Sequence, residues 1–261
     1  MPQGARPVIF AMLLAGGCAP AQFGWDETGP PDVGPYRGAF VEAVGARFLG
    51  SLERGEWLDR VAAQRVLWLG DHHRSTRLHA LQRELLEQLH EKGMRMVFAL
   101  EAIGRQDEPD VRRYLRGDVS LDGLREAMRG RWAGSWLDDP DLDPAHYGAL
   151  LEFARRHGVP VLALEPTPRL SMEQRDETMA AAIRAAADAH AGRLLVVHVG
   201  QAHLAGRGDL VARTGLPGVV LGGEPPEPLR TSAPARRDRG SLWQSSGGMW
   251  WFAELFGGQA P

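Results

Sequence analysis

The amino-acid sequence predicts an α/β fold: a mainly parallel central sheet flanked by helices on both faces, with a small helical insertion. Two observations carry this. Five short runs are apolar almost without interruption: RVLWL (65–69), MRMVFAL (94–100), VPVLAL (159–164), RLLVVHV (193–199) and GVVL (218–221). Strands read this way, rather than alternating, when helices cover both faces of a parallel sheet. The segments between the runs carry helical spacing, as the crossovers of such a sheet require.

Taken in order, the chain begins with Arg6, the apolar stretch VIFAMLLA and then Gly16-Gly17-Cys18. A basic start, a short apolar core and small residues make residues 1–17 a secretory signal peptide. The stretch LLAGGC resembles the lipobox of bacterial lipoproteins. That resemblance implies that Cys18 is lipidated and becomes the mature N-terminus. Ala19, rather than an aspartate, after the cysteine implies sorting to the outer membrane. Cys18 is the sole cysteine, so an exported chain has no internal disulfide and the residue makes most sense as a lipid acceptor. Residues 18–38 are dense in proline and glycine and read as a flexible tether, although Trp25 and Tyr36 leave an ordered arm open. A single domain then runs over 39–261, with the helical insertion at about 105–145.

Within the domain, Leu78, Leu81, Leu85 and Leu89 recur at spacings of three and four, and Gly93 supplies a stop. In DPAHYGALLEFARRHG, Asp143 is placed as N-cap, Pro144 in the first turn and Gly158 beyond the end. Ser171 with Gln174 three residues on matches a capping box that opens a helix through the alanine-rich segment. The C-terminal stretch SLWQSSGGMWWFAELFGG gathers Trp243, Trp250, Trp251, Phe252 and Phe256. It reads as a tail whose aromatic side covers a sheet edge; a lipid, partner or porphyrin surface is the alternative.

The composition is that of a globular protein, with 44% hydrophobic and 24% charged residues. A net charge of -3 gives no case for nucleic acid as a partner. No run reaches the roughly 20 apolar residues of a transmembrane helix. No P-loop, dinucleotide G-x-G-x-x-G or G-x-S-x-G motif is present, which argues against a serine hydrolase.

Chemistry gathers where the strands end. In an open parallel sheet the ligand crevice lies beyond the carboxyl ends of the strands. VLWLGDHH delivers Asp71, His72 and His73; FALEAIG delivers Glu101; LALEPTP delivers Glu165; LVVHVGQAH carries His198 and then His203. Two of these stretches contain G-x-x-H. His73, His203 and Glu101 form a candidate site of two kinds. They suit a divalent metal such as zinc with an open position, or a histidine base oriented by a carboxylate. Against this, His73 and His203 could cap the following helices and Glu101 could pair with an arginine. His198 reads as a hydrogen-bonded core histidine. His79, His90, His146, His157 and His190 lie on helical patterns and read as surface residues.

The stretches LWLGDHHRSTRLHALQRELLEQL, FALEAIGRQDEPDVRRYLRG, HYGALLEFARRHGVPVLALEPTPRL, QRDETMAAAI and VVHVGQAHL resemble, in order and spacing, the ChaN-like lipoproteins. That family is similar in turn to a superfamily containing the TIKI proteases, the TraB proteins and the erythromycin esterases. The resemblance covers about Val66 to Leu204. It implies a haem- or iron-related ligand and a role in iron uptake, haem held by a tyrosine, and a homodimer. It puts His73, Glu101 and His203 at the superfamily's active-site positions. Asp71, His72, Glu165 and Gln174 are expected beside them as ligand-binding residues. Gln174, Asp176 and Met179 match a helix motif of the ChaN-like proteins. Two features depart from the family pattern: Gly70-Asp71 stands where Gly-Glu is usual, and the segment before QRDETMA is short. Of Tyr36, Tyr114 and Tyr147, none aligns with the haem ligand, and Tyr147 reads as a packing residue. The rival expectation is a hydrolase, peptidase or esterase, using His73, His203 and Glu101 with or without metal.

Overall fold

The computed structural model describes residues 32–129, 137, 142–167, 170–234 and 240–256. Cys18, the signal peptide and most of the tether lie outside them. The elements run α1 (Gly34–Val44), β1 (Phe48–Glu53), α2 (Arg54–Ala62), β2 (Val66–Asp71), α3 (Thr76–Glu91), β3 (Met96–Gly104), α4 (Glu108–Arg116) and α5 (Leu121–Met128). They continue with α6 (Pro144–His157), β4 (Val161–Glu165), α7 (Met172–Ala189), β5 (Leu194–Gly200), α8 (Leu210–Thr214), β6 (Gly218–Leu221), α9 (Glu227–Thr231), β7 (Ser241–Ser245) and β8 (Trp250–Phe252). Among the described residues no helix is long and apolar enough to cross a membrane.

One sheet holds the strands in the order β1-β7-β8-β6-β2-β5-β3-β4. The five apolar runs form its parallel part, β6-β2-β5-β3-β4, with β4 at one edge. Successive residues of each strand feed opposite faces, as the pleat dictates. Leu67, Leu69, Phe98, Leu100 and Val196 join the core under α2, α3, α4, α5 and α6. Val66, Trp68, Val97, Ala99 and Val197 join the core under α1, α7 and α8. The α/β class with helices on both faces is therefore what the chain adopts.

The predicted helix ends hold. Gly93 lies just past the end of α3 in the left-handed region at φ 79°. Asp143 caps α6, and Gly158 closes it in the left-handed region at φ 63°. Ser171 and Gln174 form both halves of the capping box on α7. Two expectations change. The aromatic tail is not laid over an edge: β7 and β8 pair antiparallel and extend the sheet, and β8 joins it at Leu221↔Trp250. The segment read as tether already turns helical at Gly34, and Tyr36 on α1 is buried.

Candidate active site

The strand register sets the site. Leu69, His198 and Leu100 lie level across β2, β5 and β3, and Asp71 lies level with Gly200. The next residue of β3 is Glu101, so Asp71, Glu101 and Gly200 converge at the carboxyl end of three adjacent strands. A 3₁₀ turn, Gln201–His203, then brings His203 back over that end. A Cβ placed on Gly200 would lie 3.5 Å from His73 Cε1, 3.5 Å from Glu101 Oε2 and 3.6 Å from His203 Cδ2. The two imidazoles and the carboxylate thus surround one point. They open onto a cavity of about 630 Å³, whose walls include Asp71, His72, Arg74, Arg175 and, from α1, Arg37 and Phe40. Neither histidine caps a helix.

Each carboxylate has a defined task. Asp71 is buried and accepts from His73 Nδ1 at 2.9 Å, from His79 Nε2 at 2.8 Å and from the Tyr147 hydroxyl at 2.7 Å. Burial opposes its ionisation, but the neighbouring imidazoles His198, His73 and His79 outweigh burial and hold the carboxyl well below its usual range. Because Asp71 takes the proton on Nδ1 of His73, the lone pair of that ring falls on Nε2. Burial lowers the basicity of His73, yet the bond to Asp71 and the charge of Glu101 raise it above its ordinary value.

Glu101 is spoken for on both oxygens. Gly200 N–H donates to Oε2 at 2.6 Å, and Arg175 Nη2 donates to Oε1 at 2.6 Å. The same Nη2 reaches Glu165 Oε2 at 2.6 Å, which is how Glu165 is tied to the site. The expected arginine partner of Glu101 is therefore real, and it serves the site. Despite burial, His203 and Arg175 keep the Glu101 carboxyl well below the usual range.

His203 sits between two carboxylates. Its Nδ1 lies 2.5 Å from Asp176 Oδ1, and its Nε2 lies 3.4 Å from Glu101 Oε1. Burial alone would strip its charge; Glu101 and the Asp176 hydrogen bond prevail and push it up to about 9. At neutral pH it is an imidazolium. The Asp176 contact is tight and the Glu101 contact is long, so the Nε2 proton is the one more loosely held.

Of the other residues, His72 and His198 fall where the sequence reading put them, and several do not. His72 is exposed and lines the cavity. Gln174 is exposed and engaged in the α7 cap, so the ligand-binding expectation passes to its neighbour Arg175, which does line the cavity. His198 is buried, 3.2 Å from both Gln82 Oε1 and His146 Nε2. His79 and His146 are corrected: both are fully buried, not on the surface. Tyr147 is more than packing, since its hydroxyl holds Asp71. The signal for these was present. The buried stripe of α3 runs Leu78, His79, Gln82, Leu85, Leu86, Leu89, and that of α7 includes Arg175, Asp176, Met179, Ala180 and Ile183. A polar residue on an apolar stripe has to find partners inside.

Residues 57–174 match the model of a family described as haem-binding uptake, Tiki superfamily, ChaN. The match makes this stretch similar to the Tiki superfamily. It spans just under half of the sequence. It takes in Asp71, His73, Glu101 and Glu165 and stops before Arg175, Asp176 and His203. No curated protein matches the chain. Among solved structures, ChaN of Campylobacter jejuni with cofacial haem is similar at 11% identity, covering 66% of this chain and 89% of that one, with a TM-score of 0.47. The type III effector HopBA1 is similar at 18% identity over 62% of this chain and 77% of its own, TM-score 0.44. The MARTX toxin effector domain RRSP from Vibrio vulnificus CMCP6 is similar at 17% identity over 75% of this chain and 39% of its own, TM-score 0.44. Likenesses of this degree say nothing of activity.

The donor atoms can be tested against the groups that the superfamily suggests. Of the three tyrosines, none lines the cavity. Tyr147 is bound to Asp71, Tyr114 is buried, and Tyr36 packs at 6.4 Å from the His203 ring with its phenol pushed up to about 12 by burial and by Asp176. A tyrosine-held haem does not fit these residues. A three-ligand metal does not fit either: His203 is held by a carboxylate at each nitrogen and both oxygens of Glu101 are engaged. Among the described residues no group of three or more His, Cys, Asp or Glu is arranged to hold a metal ion.

Proposed function

We propose that the protein is a hydrolase, an esterase or peptidase in type, that works by histidine acid–base chemistry, tethered at the cell envelope through lipidated Cys18. The observation that carries the reaction is the pairing of unlike imidazoles across Gly200. His73 has its proton fixed on Nδ1 by Asp71, and His203 is protonated between Asp176 and Glu101. The difference in partners, a lone pair left on Nε2 of His73 against a carboxylate at each nitrogen of His203, assigns the base and the acid.

The step follows from the protons. His73 Nε2 takes a proton from water as the water oxygen bonds to the substrate's carbonyl carbon. The bond from that carbon to the leaving oxygen or nitrogen then breaks, and His203 Nε2 gives its proton to the leaving group. Arg175 and Gly200 hold Glu101 where it keeps His203 charged. The next exchange with solvent restores both rings. The envelope location rests on the lipobox-like LLAGGC and on the superfamily. Fatty-acid labelling should mark the native chain and spare Cys18→Ser.

Purified protein should hydrolyse p-nitrophenyl esters, with kcat lowered about 10²- to 10⁴-fold in His73→Ala and His203→Gln. Full activity in both variants would overturn the assignment. A saturable Soret shift with haemin that competes with ester turnover would turn the site back towards haem.

A further inference from the structure

Behind His73 lies a run of buried ionisable groups, of which the proposed reaction uses only Asp71. Asp71 is 1% exposed at its side chain and His79 is 0% exposed. Asp71 Oδ1 meets His79 Nε2 at 2.8 Å, and His79 Nδ1 meets Asp143 Oδ2 at 2.8 Å. With the bond from His73, these form one unbroken line, His73–Asp71–His79–Asp143, from the cavity to the start of α6.

Proton counting constrains this line. Asp71, ionised, only accepts, so His79 Nε2 carries a hydrogen. The contact between His79 Nδ1 and Asp143 Oδ2 joins two groups that both accept in their unprotonated forms, so it carries a second proton, on one side or the other. His79 is thereby gripped from both ends. The His146 ring stacks on it at 3.9 Å with an angle of 4° between planes and blocks its rotation. The Tyr147 hydroxyl holds the other oxygen of Asp71. The remaining groups around the line are His198 from β5, Gln82 and Arg83 from α3, and Glu101 and His203 across the cavity floor. Packing alone gives no reason for such a set, because apolar side chains of the same size would avoid the desolvation cost of buried ionic groups.

We propose that His79 is a positioning residue: backed by Asp143 and helped by Tyr147, it fixes Asp71 so that His73 is held in the tautomer with its proton on Nδ1. The inference rests on His73 being the base of the proposed hydrolase. A free neutral imidazole favours the other tautomer, so a base whose lone pair must sit on Nε2 needs a rigid carboxylate at Nδ1. A carboxylate at the end of a strand is rigid only if its second oxygen is held as well, and His79 holds it.

The test uses 15N-labelled full-length protein, at a pH where His73 is neutral, with long-range imidazole spectra reading the tautomer. His79→Phe removes the donor to Asp71, His79→Gln returns an amide donor, and Asp143→Asn weakens the grip from behind. The wild type should show His73 with Nδ1 protonated. His79→Phe should move it towards the Nε2-protonated form and lower kcat for p-nitrophenyl acetate about 10- to 100-fold, the size typical of groups that orient functional histidines, with KM little changed. His79→Gln should recover most of both, and Asp143→Asn should shift the tautomer in the same direction as His79→Phe. If His79→Phe does not fold, the other two variants decide. An unchanged His73 tautomer in folded variants would overturn the inference, as would a His79→Gln no better than His79→Phe. Because the spectra need no turnover, a wild type that hydrolyses nothing but loses its tautomer in His79→Phe would sink the hydrolase and keep the positioning role.

Discussion

His203 keeps its second proton up to about pH 9 because Glu101 and Asp176 flank it, although burial pulls the other way. His73 binds its proton above the ordinary histidine value because Asp71 and Glu101 outweigh its burial. If His73 is the base and His203 the acid, the rate must rise with pH as His73 deprotonates and fall as His203 loses its proton. The expected profile of kcat/KM is a bell whose acid limb lies above the ordinary histidine value of about 6.5 and whose alkaline limb lies near 9. His203→Gln should remove the alkaline limb. An alkaline limb that persists there would take the acid role from His203. Five members of this site, Asp71, His73, Glu101, Glu165 and His203, were legible because they follow apolar strands directly. Arg175, Asp176, His79 and Tyr147 sit on helices, where a polar letter in an amphipathic pattern is ordinarily solvent-facing. Their signal was a polar residue set on an apolar stripe, and the strand order that turns those stripes over the site is not written in one sequence.

The elements that carry the site use glycine for opposite reasons, and this yields a paired prediction. Gly200 ends β5 with φ -50° and ψ 131°, a conformation open to any residue. A methyl there meets its neighbours at 3.5–3.6 Å, ordinary contact distance. Gly200→Ala should therefore melt like the native protein while placing a methyl between His73, Glu101 and His203, lowering kcat/KM by roughly 10²-fold. Gly206 has φ 70°, and a Cβ there would lie 2.5 Å from Ala39 C in α1. Gly206→Ala should cost at least about 1–2 kcal/mol from the left-handed backbone alone, lowering Tm by roughly 2–8 °C. A Gly200→Ala that keeps full activity would move the reaction away from the point the two histidines share. The same scale shows which strands could be read in advance. The central strands are buried on both faces and spell it in continuous apolar runs. β1 is largely exposed, with FLGSLE showing no apolar face, and β7 and β8 are broken by Gly247-Gly248. A run gives its own burial away, whereas an antiparallel edge pair depends on a partner elsewhere in the chain.

Across the whole molecule, the cavity lies between the strand ends and a helix that belongs to the N-terminal arm. Arg37, Phe40 and Val41 of α1 line it, and Tyr36, Phe40 and Val44 of the same helix are buried. If the chain is anchored through Cys18 as proposed, the path from the membrane to the domain enters through α1, at the wall of the site. Two truncations separate tether from wall. Removing residues 1–31 keeps α1 whole and gives the reference for melting and ester hydrolysis. Removing residues 1–44 takes away three buried side chains, on the order of 5 kcal/mol of apolar burial, and should lower Tm by roughly 10–20 °C. It should also open His203 to water, since the Tyr36 ring lies 6.4 Å from it, and so raise KM and bring the alkaline limb down towards the ordinary histidine range. If the shorter chain melted and turned over like the longer one, α1 would be an appendage, and the cavity would have to be redrawn without it.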